Sequence, residues 1–221
     1  MRLVAKIVFW FVALSLAITL LYRFVPPPVT VTMITDANGI TKDWESLDNI
    51  DRNMVDAAIG AEDSKFCSHN GFDGDAIENA MKRNAEGGRL RGGSTISQQV
   101  AKNVFLWQGD GWGRYLRKGF EVWFTFLIEN LWDKRRIMEM YLNVAETGIG
   151  TYGVEAGAQR YFGKSAANLT RTEAGRMAAA LPSPKTRSVK NPKGFVRRYG
   201  NTIAARIGTV RGSGYDACVY E

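Results

Sequence analysis

Hydrophobic residues open the chain as one block and then recur at helical spacing along the rest of it. Residues 7–22, IVFWFVALSLAITLLY, carry no charge, and Arg23 can snorkel so that the apolar run reaches Val25. That gives about 19 residues, near the ~20 a helix needs to cross a bilayer. The pattern predicts a transmembrane anchor over 7–25 behind a short tail, residues 1–6. A cleaved signal peptide is the alternative, with Ser15-Leu16-Ala17 as its small-residue site. Against it, ITLLY stays apolar beyond that site and PPPVT then begins a stiff extended linker. Arg2, Lys6 and the amino terminus favour a cytoplasmic N-terminus with the body outside.

Residues 26–45 read as a linker containing an extended piece, VTVTMI, that ends in the turn signal Asp36-Ala37-Asn38-Gly39. From Leu47 onward the period is helical. It predicts helices at about 50–66, 74–86, 95–107, 114–131, 134–142, 151–161, 170–181 and 192–209, joined by Gly-rich turns. Two starts carry capping boxes, Thr95-Ile96-Ser97-Gln98 and Thr170-Arg171-Thr172-Glu173, and Pro182 and Pro184 stop the helix begun by the second. The expected fold is mainly α, with one body over 46–211 and a C-terminal tail over 212–221.

Composition narrows the partners. The 221 residues suffice for one domain with a sizeable core. A net charge of +7 calls for an acidic partner. Outside the cytoplasmic membrane there is no nucleic acid to read, so a membrane-borne phosphate is favoured over it. Cys67 and Cys218 are too few for a disulfide framework; they either pair in an oxidising compartment or stand as separate thiols. One histidine and two distant cysteines cannot build a zinc cluster.

Three stretches carry candidate chemistry. In EDSKFCSHNGFD, residues 62–73, a helical wheel puts Glu62 within the apolar arc of Val55, Ala58, Ile59 and Phe66, and turns Asp63 towards the polar edge. Glu62 is therefore expected to face inward, where low dielectric raises a carboxyl pKa towards the range of a general acid or base. The structural alternative is a cap or an ion pair with an internal arginine. Asp63 reads as a cap or salt-bridge partner. His69, at the helix end before Asn70-Gly71, reads as a turn-holding residue. RGGSTISQQVAKN, residues 91–103, places Ser94 or Thr95 at a helix start, with Gln99 and Lys102 on one side and Ile96, Val100 and Val104 on the apolar side. Such a start flanked by Arg91 suits an anion, although a merely capped surface helix fits too. In RKGFEVWFTFLIENLW, residues 117–132, the main apolar stripe is Phe120, Phe124, Leu127, Ile128 and Leu131. Glu121 reads either as an ion-pair partner of Arg117 or as a second half-buried acid held by cations. Trp123, Phe126 and Trp132 are candidates for seating the body on lipid.

EDSKFCSHNGFD, RGGSTISQQVAKN, RKGFE, KRRIMEMYLNVAETGIGTYGVEAGAQRYFGK and LTRTEAGRMAAALPSP, in that order, resemble the motifs of the peptidoglycan glycosyltransferase family across roughly residues 46–208. The single anchor, short length and lack of a penicillin-binding domain resemble its monofunctional members. The resemblance implies a lysozyme-like, mostly helical domain on the periplasmic side of the bacterial inner membrane. It implies polymerisation of lipid II into β-1,4-linked glycan by inverting displacement of undecaprenyl pyrophosphate. In that family pattern Glu62 is the general base. Glu121 supports the departing pyrophosphate, directly or through a divalent cation, magnesium or manganese. Ser94, Gln99, Lys102, Asn103 and Arg117 fall on positions that contact substrate sugars and phosphates. The implied partners are lipid II, the growing lipid-linked glycan and the membrane, with other cell-wall synthesis and division proteins as candidates and no nucleic acid. The chain departs from the pattern at Asn79, where many members carry a basic residue and where Lys82 or Arg83 is the substitute candidate. It departs again in the long loop 106–115, where Arg114 is the candidate for a family arginine. A lytic enzyme acting on the same glycan and a non-catalytic scaffold are the competing readings.

Overall fold

The computed structural model describes residues 1–85, 93–109 and 111–221. Helix α1 (Arg2–Phe24) is followed by a helical turn, α2 (Val31–Ile34), and a two-residue strand, β1 (Thr41–Lys42). Then come α3 (Arg52–Glu62), α4 (Gly74–Ala85), α5 (Ile96–Phe105), α6 (Gly113–Leu131) and α7 (Lys134–Val144). Strands β2 (Glu146–Gly148) and β3 (Thr151–Tyr152) precede α8 (Val154–Phe162), α9 (Arg171–Ala180), α10 (Gly194–Gly212) and α11 (Ala217–Tyr220). The fold is mainly α. The only described sheet runs β1-β3-β2, with β1 parallel and β2 antiparallel to β3.

Two helical groups share the core. In the first, α3, α9 and α10 pack on one another. The small residues of α9 let α10 approach so closely that a Cβ on Gly175 would lie 2.5 Å from the Gly200 carbonyl oxygen. In the second, α5 packs against α6 and α7. The predicted apolar side Ile96, Val100 and Val104 is buried there, and Phe105 stacks on Phe124 with ring centroids 4.4 Å apart. Both predicted capping boxes form, at Thr95–Gln98 and Thr170–Glu173.

Helix α1 is the one described helix long and apolar enough to cross a membrane. It lies against α6, where Phe11 packs on Phe120 and Trp123, and its few polar groups are bonded by residues of α6 and beyond. Trp123 Nε1 donates to Ser15 Oγ at 3.1 Å, and Trp132 Nε1 donates to the Thr19 carbonyl at 2.8 Å. Arg136 donates twice to the Tyr22 carbonyl, at 3.1 and 2.8 Å. Two of the three aromatics expected to seat the body on lipid are thus engaged with α1, and only Phe126 stays exposed. An indole N–H with a nearby partner gains more there than in hydrocarbon.

Three local expectations are corrected. VTVTMI is not extended, because Thr30 caps a helical turn that buries Met33. The helix expected to run to residue 66 ends at Glu62, because Asp63 turns to φ −156° and ψ 77° and Phe66 reaches the core from the following turn. The helix expected from residue 151 begins at Val154, since residues 151–152 form β3 and Gly153 takes φ +87°, a left-handed value that suits glycine. Cys67 and Cys218 form a disulfide, so the turn after α3 is tied to α11.

Candidate active site

The last turn of α3 presents Glu62 to a cleft of about 1130 Å³, and Ser94, Gln99 and Lys102 line the same cleft. Four predicted residues, from two motifs far apart in sequence, therefore meet. Glu62 is half-buried and accepts a hydrogen bond from Gln99 Nε2 at its Oε2, at 2.8 Å. Burial pushes its pKa up, and Asp63 adds to that. The Gln99 hydrogen bond and the charges of Arg187 and Lys102 hold the rise in check.

Asp63 lies deeper than Glu62, the reverse of the wheel's order. The wheel fails because Asp63 is no longer helical. Its carboxylate accepts from the Ile96 backbone N–H at 3.0 Å and from His69 Nε2 at 2.9 Å, while His69 Nδ1 accepts from the Gly71 N–H at 3.1 Å. Asp63 thus caps α5, and His69 holds the turn, as their sequence positions suggest. The pair fixes the start of the helix that carries Gln99 and Lys102.

Lys102 is half-buried, and desolvation lowers its pKa. The negative charges of Glu121 and Glu62 oppose that fall, while Arg117 and Lys118 add to it. Lys102 therefore lies in the fields of both glutamates. Glu121 itself is buried and does not line the cleft; its carboxylate is bonded by Lys118, which also donates to Ser94 Oγ at 3.4 Å. Arg117 does not pair with Glu121. Its guanidinium instead donates to the carbonyls of Trp107 (3.2 Å) and Gly109 (2.9 Å), holding the loop before α6. Asn103 accepts weakly from Gln108 Nε2 at 3.4 Å and stands outside the cleft lining. Arg91 and Gly92 lie outside the described residues. Lys82 pairs with Glu78.

Sequence reading passed over Lys118 and Arg187. Lys118 carries a signal, its i,i+3 spacing to Glu121. Arg187 belongs to KTRSVKNPK beyond the proline stop, and nothing local ties that basic run to Glu62. The fold does so by bringing Thr186, Arg187, Ser188, Asn191 and Lys193 to the cleft wall. A second cavity, about 730 Å³, opens beside His69 between Lys65, Cys67 and Tyr215 and holds none of the predicted contacts.

Among the described residues no three His, Cys, Asp or Glu side chains cluster, and the carboxylate of Glu121 already faces an ammonium.

A family model described as Transglycosylase matches residues 30–207. The chain belongs to the transglycosylase family. Relatives of this transglycosylase include proteins named "Biosynthetic peptidoglycan transglycosylase" from three organisms. The one from Caulobacter vibrioides is 49% identical, over 90% of this chain and 87% of its own. The one from Rhodospirillum centenum is 45% identical, over 100% and 96%. The Pseudomonas aeruginosa protein is 43% identical, over 97% and 95%. The matched region of the transglycosylase contains every predicted site residue, from Glu62 to Glu121.

Proposed function

We infer that this chain is a peptidoglycan glycosyltransferase that polymerises lipid II. The observation that carries the reading is a single glutamate, Glu62, raised in pKa and clamped by Gln99 in a cleft walled by cations. The 4-hydroxyl of an incoming lipid II attacks the anomeric carbon of the lipid-linked strand. The C–O bond to the pyrophosphate breaks as the new one forms, and Glu62 takes the hydroxyl proton. Gln99 holds Oε2, which leaves Oε1 for that proton. Attack opposite the leaving group turns an α-linked donor into a β-1,4 product.

Charge developing on the departing pyrophosphate needs fixed cations, and Lys102 supplies one at the cleft wall. Glu121 holds Lys118 against Ser94 and biases Lys102 towards its charged form, so it acts through lysines. Arg117 and Asn103 act at the rim by holding residues 107–109. The lytic alternative gains nothing from this geometry, since hydrolysis of a neutral glycan calls for no wall of cations.

Helix α1 fits the role of a single-pass anchor that keeps the body on the periplasmic face of a bacterial inner membrane, beside its lipid-borne substrate. The reading is tested with purified protein and lipid II. Glu62→Gln should lower the polymerisation rate by at least about 100-fold while melting as the parent does. Retained polymer would remove Glu62 from the role of base, and soluble fragments released from preformed glycan would point to lysis.

A further inference from the structure

Phe195 is half exposed, yet it is held from two sides at the wall of the cleft that contains Glu62. It sits in the first turn of α10. Its ring lies 5.1 Å from the Tyr199 ring at an interplanar angle of 31°. The Arg187 guanidinium covers it at 4.7 Å from the centroid. Both supports are themselves anchored. Arg187 donates to the Ala179 carbonyl at 2.7 Å, the end of α9, and the Tyr199 hydroxyl donates to the Ala61 carbonyl at 3.0 Å, one residue before Glu62. An apolar ring left half open to water gains nothing by exposure, and three of its neighbours in the wall, Thr186, Ser188 and Asn191, are polar. A flat apolar face framed by hydroxyl and amide groups suits the C–H face and rim hydroxyls of a pyranose.

We propose that Phe195 is a sugar-stacking residue of the cleft, held by Arg187 and Tyr199, on which an N-acetylated pyranose ring of the substrate lies while its hydroxyl side faces Thr186, Ser188 and Asn191. The proposal rests on the glycosyltransferase reading and names a substrate contact for it. Because Tyr199 bonds the residue next to Glu62, the platform and the base are set by one piece of backbone. Stacking acts on binding rather than on the bond-making step, so its loss appears in KM.

The test compares Phe195→Leu, which keeps apolar packing but loses the flat face, with Phe195→Trp, which keeps both. With lipid II, Phe195→Leu should raise KM about tenfold and leave kcat within about twofold, whereas Phe195→Trp should stay within about threefold of the parent KM. In parallel, the indole of Phe195→Trp should report binding of a soluble β-1,4-linked N-acetylglucosamine tetramer, read as the fluorescence change in excess of that of the parent. Binding of the tetramer but not of the free disaccharide assigns the ring to the growing strand; equal binding assigns it to a single unit. An unchanged KM in Phe195→Leu overturns the proposal. So does a flat indole signal up to on the order of 10 mM saccharide, which decides alone if the leucine variant melts early. If the parent makes no polymer, the glycosyltransferase reading fails, and the saccharide titration still judges the platform.

Discussion

Glu62 owes its raised pKa chiefly to burial, and the Gln99 amide opposes that rise most. A donor to an ionised carboxylate favours the ionised form, so removing it raises the pKa further. The base must be ionised to take a proton. The acid limb of the kcat profile should therefore move to higher pH in Gln99→Leu, with the larger loss of rate on the acid side. A pH–rate series on both proteins checks this, and a limb that stays in place would separate Gln99 from the base. At this scale the sequence was informative about identity and weak about direction. The wheel turned Glu62 inward and Asp63 towards the polar edge; Glu62 lines the cleft, but Asp63 is the deeper of the two, because one change of φ/ψ at a helix end redirects the next side chain. His69, the only histidine, holds the backbone of Gly71 and the Asp63 carboxylate.

Among the elements, the crossing of α9 and α10 is a close approach that sequence alone leaves unexplained. TEAGRMAAA reads as a helix of small residues, and their use appears only when Gly175 is seen against the Gly200 carbonyl. Gly175→Ala raises helix propensity, which favours folding by about 1 kcal/mol. The added methyl meets backbone rather than a flexible side chain, and overpacking of that kind costs typically 1–3 kcal/mol. The net effect should be destabilising, seen as a lower midpoint in urea unfolding of the detergent-solubilised protein; an equal or higher midpoint would show that the helices can part without cost. Helix α1 is the second case. Its length and apolarity are plain in the sequence, but its seating on Trp123, Trp132 and Arg136 depends on residues over 100 positions away.

For the molecule as a whole, the C-terminal residues close the structure onto the end of α3 that carries Glu62. The Cys67–Cys218 disulfide spans 151 positions and joins the turn after Glu62 to α11. Beside it Asp216 is buried and bonded by Arg52 at 2.7 Å, while Asp56 of α3 is buried against Arg211. Burial pushes the pKa of Asp56 up, and the neighbouring Asp216 adds to that. Cross-linking so long a loop restricts the unfolded chain strongly. Cys67→Ser should therefore cost roughly 2–5 kcal/mol of stability, measured by denaturant unfolding, and a thiol reductant should bring the parent to the same level. A variant as stable as the parent would show that α11 is held by Asp216 and Val219 without the bridge.

Helical period, capping boxes and proline stops are local, and they determined the mainly α fold, the apolar first helix and most helix positions. The ordered motifs determined which residues are candidates, because residue type and spacing carry chemistry along the chain. Tertiary structure alone decided the rest. It placed Arg187 and Phe195 on the wall of the cleft that holds Glu62, gave Glu121 to Lys118 instead of Arg117, and paired the cysteines. Each of those contacts depends on distances between elements, which are set by how helices pack and not by the order in which they occur.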